Sequence, residues 1–106
     1  MSLFQEKYNI SPQKIQEAVD SNDAPEILAD IALKNHIGDM GLGNPILGRL
    51  VGEILVGLLH PKDFVPSLEK ELEISNENAR SIAKEVNEKI FSQVKDELIV
   101  MHNLDG

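Results

Sequence analysis

The sequence contains 106 residues, no cysteine and a formal net charge of −8, and only 4% of its residues are aromatic although 42% are hydrophobic. This length is typical of one domain, so we expect residues 1–106 to form a single helical domain with an aliphatic core. The lack of cysteine excludes disulfides, thiolate metal sites and thiol nucleophiles, and the evenly spread acidity disfavours a nucleic-acid or anionic-membrane partner.

The sequence carries no sign of export or of membrane insertion. The stretch from Met1 to Ile10 is too polar for a signal peptide, and no apolar run approaches the roughly 20 residues that a membrane-spanning helix needs. Together with the absence of cysteine, these features predict a cytoplasmic domain without a membrane partner.

The first two predicted helices begin at capping motifs. Ser11 is a favourable N-cap residue and is followed by proline, which suits the first helical position, so a helix is predicted over residues 11–20. Asp23 and a glutamate three residues later match a capping box and predict a helix over residues 23–36. Gly38 is the predicted stop of this second helix, because glycine accepts the left-handed conformation that closes a helix end.

The predicted central helix covers residues 44–59. It follows the glycine-rich stretch from Gly38 to Gly43, and Asn44 with the next residue, proline, repeats the pattern of a cap before a helical proline. Its apolar residues recur at helical spacing on a wide face, which predicts a buried helix. Pro61 disfavours helical geometry at the preceding residue, so the helix is expected to end near there.

Two further helices are predicted, over residues 63–73 and 75–101. Asp63 and Ser75 are their N-caps, and the second helix carries the cleanest 3.6-residue apolar period in the sequence. An unbroken helix of this length would be about 40 Å long, more than a domain of this size comfortably covers. We therefore expect either a bend around Ser92 or an end that projects toward a partner.

These elements predict an all-α fold, a compact bundle of four to five helices. No internal repeat or low-complexity linker divides the chain, which agrees with the expectation of one domain. The predicted helices cover about residues 11–20, 23–36, 44–59, 63–73 and 75–101.

The stretch from Gly57 to Leu98 resembles small helical domains of uncharacterised bacterial proteins. It contains a leucine-rich helix end, a Pro-x-x-Phe turn, a short helix and an Ile-Ala-x-x-x-Asn-x-x-Ile-Phe helix, which recur together in such sequences. The resemblance implies this order of helices over residues 57–98. It implies no activity, substrate or site.

No pattern in the sequence indicates a catalytic, metal or cofactor site. The three histidines, His36, His60 and His102, fall at predicted helix ends and lack the partner at i+3 or i+4 that helical metal sites use. The stretch from Gly38 to Gly43 lacks the lysine and the preceding strand of a phosphate-binding loop, so we interpret it as a connection between helices. We therefore expect no catalytic residue, no metal and no cofactor.

Two features point to an interaction surface. Gly48 and Gly52 lie on one narrow strip of the central helix, where each glycine costs about 1 kcal/mol relative to alanine. The preferred interpretation is close packing against another helix of the same chain, and the alternative is contact with a subunit or ligand. The second feature is the apolar end of the last helix. The candidate interaction surface comprises Gly48, Gly52, Leu98, Ile99, Val100 and Met101.

Three hypotheses about function follow, in order of preference. The first is a non-catalytic protein-interaction or assembly module that binds a protein partner or forms a homo-oligomer. The second is a small-ligand-binding helical bundle whose core opens under the loop from Gly38 to Gly43. The third is a metal-dependent enzyme that uses His36 or His60 with nearby carboxylates.

Overall fold

The computed structural model describes residues 2–21, 23–37 and 45–102, which form seven α-helices and two 3₁₀ turns. These residues contain no strand, so the predicted all-α class is confirmed. The predicted count of four to five helices is wrong, because one helix precedes the first predicted helix and the last predicted helix is divided. The helices are α1 (Leu3–Asn9), α2 (Gln13–Val19), α3 (Ala24–Lys34), α4 (Pro45–Leu55), α5 (Phe64–Leu72), α6 (Asn76–Lys89) and α7 (Lys95–His102), and the 3₁₀ turns are Pro61–Asp63 and Phe91–Val94.

Side-chain hydrogen bonds mark both ends of α1, whereas α2 begins without one. Ser2 caps α1, because its hydroxyl accepts a backbone N–H of the first turn at 3.1 Å. The predicted capping role of Ser11 is wrong: its hydroxyl donates to the Lys7 carbonyl at 2.7 Å and so completes the end of α1. Pro12 takes the N-cap position of α2, and the helix is shorter at both ends than the predicted range of 11–20.

The start of α3 was predicted correctly, but its end was not. Asp23 occupies the N-cap position, although its side chain makes no capping hydrogen bond, so the predicted capping box does not form. The helix ends because His36 adopts a φ of 60°, and the Ile37 N–H then bonds back to a carbonyl of α3 at 2.8 Å. The predicted stop at Gly38, the glycine-rich loop and the predicted cap at Asn44 lie outside the described residues.

Helix α4 is shorter than the predicted range of 44–59. Gly57 has a φ of 90°, a left-handed conformation that glycine adopts without the steric cost of a side chain. The Leu58 N–H bonds to the Glu53 carbonyl at 2.8 Å, which completes a glycine-ended helix terminus. Gly57 therefore ends the helix before the residue that precedes Pro61, where the proline would have disfavoured helical geometry.

Helices α5 and α6 begin at the predicted residues. Asp63 holds the N-cap position of α5, which places Pro66 at the third helical position, where no intrahelical N–H is needed. The hydroxyl of Ser75 accepts from the Asn78 N–H at 3.1 Å and caps α6. Between them, Glu73 ends α5 with a φ of 54°.

The last predicted helix, 75–101, is divided by a bend. Ile90 departs from helical geometry, with φ −118° and ψ −59°, and the 3₁₀ turn Phe91–Val94 follows. Of the two alternatives that the sequence left open, a bend around Ser92 is therefore the one observed. It turns α7 back toward the end of α4, so that Leu98 joins the core instead of projecting from it.

The buried side chains form one cluster between the helices. Helix α4 packs against α2, α3 and α5, while α6 packs against α3 and α5. Helix α1 contributes no buried residue and only lies against the cluster. The radius of gyration is 13.1 Å, and no helix within the described ranges is long and apolar enough to cross a bilayer. The core consists of Ile15, Ile31, Ala32, Leu47, Leu50, Val51, Ile54, Leu55, Val56, Phe64, Leu68, Ala79, Ile82, Val86, Ile90, Phe91, Val94 and Leu98.

Candidate functional site

A cleft of about 590 Å³ opens between the α1–α2 corner and α7, and we call it the α7 cleft. Among the described residues, the two most exposed large hydrophobic side chains stand on its walls: Ile10 is 78% exposed and Val100 is 82% exposed. Apolar side chains that gather in one open concavity are typical of binding surfaces. The cleft is lined by Lys7, Ile10, Ser11, Pro12, Val56, Gly57, Asp96, Glu97, Val100 and Met101.

The wall formed by the α1–α2 corner is held by polar contacts. The amide of Gln16 donates to the Tyr8 carbonyl at 2.8 Å, and the Tyr8 hydroxyl donates to the carboxylate of Asp20. The hydrogen bond to Asp20 is the main reason why the pKa of Tyr8 is raised, and desolvation and the negative charge of Asp20 add to it. These bonds join α1 to α2 and so position Ile10 at the edge of the cleft.

The opposite wall is held where α7 meets the end of α4. His102 Nε2 lies 2.8 Å from the Ile54 carbonyl oxygen, which ties the last turn of α7 to the last turn of α4. Met101 packs directly over Gly57, because a Cβ on that glycine would lie 3.1 Å from the Met101 Sδ. Gly57 therefore has two roles: it ends α4 and it leaves room for α7.

Charges of both signs border the α7 cleft. Lys7 lines it from α1, and Asp96 and Glu97 line it from α7. Glu97 also pairs with Lys14 of α2 at 3.7 Å. With Glu97 paired to Lys14, the remaining charged residues that line the cleft are one cation and one anion, Lys7 and Asp96. The whole chain, by contrast, has a net charge of −8.

The four residues predicted to form an apolar surface at the end of the last helix, 98–101, have different surroundings. Leu98 is only 5% exposed and belongs to the core, so it offers no surface to a partner. Ile99 is half-buried and does not line the cleft. Val100 and Met101 do line it, and they are the part of the predicted surface that meets the α1–α2 corner.

The two predicted glycines lie on a different face, in a groove of about 320 Å³. A Cβ on Gly52 would lie 3.2 Å from a ring carbon of Phe4, so this glycine accommodates the α1 ring within the same chain. Among the described residues, a Cβ on Gly48 would meet nothing within 4 Å. The intramolecular interpretation therefore fits Gly52, where the Phe4 side chain rather than a helix backbone makes the approach. For Gly48, residues 2–21, 23–37 and 45–102 offer no contact that would explain a glycine.

The histidines serve local structure. His36 closes the end of α3, and His60 Nδ1 accepts the Lys62 N–H at 3.1 Å at the start of a 3₁₀ turn. The rings of His60 and His102 meet edge to face with centroids 5.3 Å apart, a pairing that sequence spacing could not indicate. Within the described residues, no group of three or more histidine, aspartate or glutamate side chains converges in a way that could hold a metal ion.

Lys7 and Ile10 were not among the predicted site residues, because no helix was predicted before Ser11. The available signal was weak: Phe4 and Tyr8 share one helical face at i and i+4, after a serine suited to capping. No family model, curated protein or solved structure matches the chain. The resemblance of residues 57–98 to bacterial helical domains therefore stays a prediction.

Proposed function

We propose that this protein is a non-catalytic interaction module that binds a protein surface through the α7 cleft. One observation carries the proposal: Ile10 and Val100, distant in sequence, are both exposed and line the same opening. Burying an exposed aliphatic side chain of this size contributes roughly 1.5–3 kcal/mol, so two such side chains can anchor a modest interface. The half-buried Met101 beside them adds an adaptable contact.

The polar groups support a binding role rather than a catalytic one. His60 and His102 use a ring nitrogen for hydrogen bonds to the backbone, and these bonds shape the ends of helices. The hydroxyl of Ser75 is an N-cap, and that of Ser11 bonds to a carbonyl, so neither is paired with a base. A cytoplasmic location and the lack of a nucleic-acid partner belong to the same proposal, supported by the cysteine-free, acidic sequence.

A second candidate is a small-ligand binder that uses the same cleft. Its volume of about 590 Å³ falls in the range of roughly 300–1,000 Å³ that is typical of ligand pockets. The exposure of Ile10 and Val100 favours the protein partner, since a ligand pocket encloses most of its ligand and shields its apolar lining from water.

Site-specific photo-crosslinking in the native cells tests the proposal. A photoreactive benzoylphenylalanine replaces Val100 in one variant and Leu33 in a matched control, because Leu33 is 55% exposed and lies outside the cleft. We expect adducts with protein from position 100 and none from position 33. The proposal fails if position 100 yields no protein adduct, or if both positions yield the same adducts.

Protein purified from the same cells distinguishes the small-ligand binder from the interaction module. A small-ligand binder should retain a bound molecule when the purified chain is measured by native mass spectrometry. It should also give no protein adduct from position 100, because the occupant of the cleft would then be too small to be recovered as a protein band.

A further inference from the structure

The α7 cleft combines a hollow with protruding side chains in one patch. Val56 and Met101 lie within it, buried and half-buried, whereas Ile10 and Val100 stand exposed at its walls. In a two-fold symmetric interface the same surface occurs on both subunits, so that surface must offer both the shape that receives and the shape that inserts. The α7 cleft offers both shapes.

The charged residues that line the cleft on one copy can pair with those on a second copy. Lys7 borders it from α1 and Asp96 borders it from α7, on opposite walls, while Glu97 is matched by Lys14. Because Lys14 offsets Glu97, the lining presents one further cation and one further anion, although the chain as a whole has a charge of −8. A two-fold arrangement instead sets Lys7 of one copy against Asp96 of the other, twice in each dimer.

We infer that the partner in the α7 cleft is a second copy of this chain, bound in a two-fold symmetric dimer; this inference rests on the proposed function. Each side chain of such an interface occurs twice, so one substitution changes two contacts. Replacing an exposed valine that inserts into the cleft by glutamate should therefore weaken the dimer about 100-fold.

Sedimentation equilibrium of the purified chain provides the first test. The wild type should show a monomer–dimer equilibrium, Val100→Glu should raise the dissociation constant about 100-fold, and Leu33→Glu should leave it unchanged. Both positions are exposed, so both variants should fold, which circular dichroism verifies. A wild type that stays monomeric at about 1 mM, or a Leu33→Glu variant as weak as Val100→Glu, would overturn the inference.

A charge exchange provides a second test, which leaves the apolar contacts unchanged. Lys7→Glu and Asp96→Lys should each weaken self-association about tenfold, because each sets like charges against each other at both pairs. An equal mixture of the two variants should recover the affinity of the wild type, because every pair in the mixed dimer then has opposite charges. A mixture no tighter than the separate variants contradicts the proposed arrangement.

The two proposals fail in different ways. If the purified chain is monomeric while position 100 crosslinks to another protein in cells, the second copy is ruled out and the interaction module stands. If the chain is monomeric and position 100 gives no protein adduct, both proposals are wrong. An adduct at position 100 with the mass of two chains supports both.

Discussion

Alanine substitution of three glycines should give different results, because their surroundings differ. Gly57→Ala places a side chain on a residue with a φ of 90°, which costs about 1–2 kcal/mol. The new Cβ also lies 3.1 Å from the Met101 Sδ, so that flexible side chain must shift and the total cost is about 2–3 kcal/mol. The new Cβ of Gly48→Ala meets no described residue within 4 Å, so this variant should gain about 1 kcal/mol in helix propensity.

Gly52→Ala should fall between the other two. It gains the same propensity of about 1 kcal/mol, but its Cβ would lie 3.2 Å from a ring carbon of Phe4 and would displace that ring. Because α1 contributes no buried residue, the ring can move at a cost of about the same size, and the net change should be close to zero.

Urea unfolding followed by circular dichroism measures all three free energies of unfolding. The free energy of unfolding of Gly48→Ala should exceed that of Gly57→Ala by about 3–4 kcal/mol, and the value for the wild type should lie between them. A Gly57→Ala variant as stable as the wild type would show that the left-handed residue and the Met101 contact are absent. A Gly48→Ala variant that is destabilised would show a contact at this position that the described residues do not make.

Three further predictions follow from polar contacts. Tyr8 is the only tyrosine in a chain without tryptophan, so an absorbance titration reports its pKa alone, and this pKa should lie above the ordinary value. Asp20→Asn should lower the pKa of Tyr8. Identical titration curves for the wild type and the variant would contradict the hydrogen bond. The stability from this raised pKa is present below about pH 10 and is lost as the pH rises through the folded-state pKa. The Asn35 side chain is 7% exposed and donates to the Ile31 carbonyl and to the Glu85 carboxylate. Asn35→Ala should therefore lower the free energy of unfolding in urea by about 1–3 kcal/mol. A change below about 0.5 kcal/mol would show that these hydrogen bonds do not stabilise the fold. Ser75→Ala should remove a cap worth about 1 kcal/mol in the same assay, and an unchanged midpoint would show that the cap is unimportant.

Helix starts were easier to predict from the sequence than helix ends. Asp63 and Ser75 were correctly placed at helix starts, because an N-cap position depends on residues within one turn, although only Ser75 makes the capping hydrogen bond. The helix ends at His36 and Glu73 use left-handed residues that are not glycine, a conformation that the local propensity of these residues does not reveal. Gly57 carried a usable signal, but the proline pattern after it led to a later predicted end.

The candidate site could be predicted only in part. The apolar character of Val100 and Met101 is visible in the sequence, and both line the α7 cleft. The side chain opposite them, Ile10, comes from a segment whose short length and polar composition do not predict a helix. The meeting of these residues depends on the bend at Ile90, whose direction is a property of the packed core rather than of the local sequence.

Helix α7 folds back onto the end of α4, and this arrangement builds the cleft on which both proposals depend. Nuclear Overhauser spectroscopy of the chain in solution detects the contacts between the two helices. The structure predicts strong cross-peaks between the Met101 side chain and the Gly57 α-protons, and between the His102 ring and residues at the end of α4, near Ile54. Absence of these cross-peaks, with uninterrupted α-helical connectivities through residues 90–94, would show that α7 continues α6 and does not fold back onto α4.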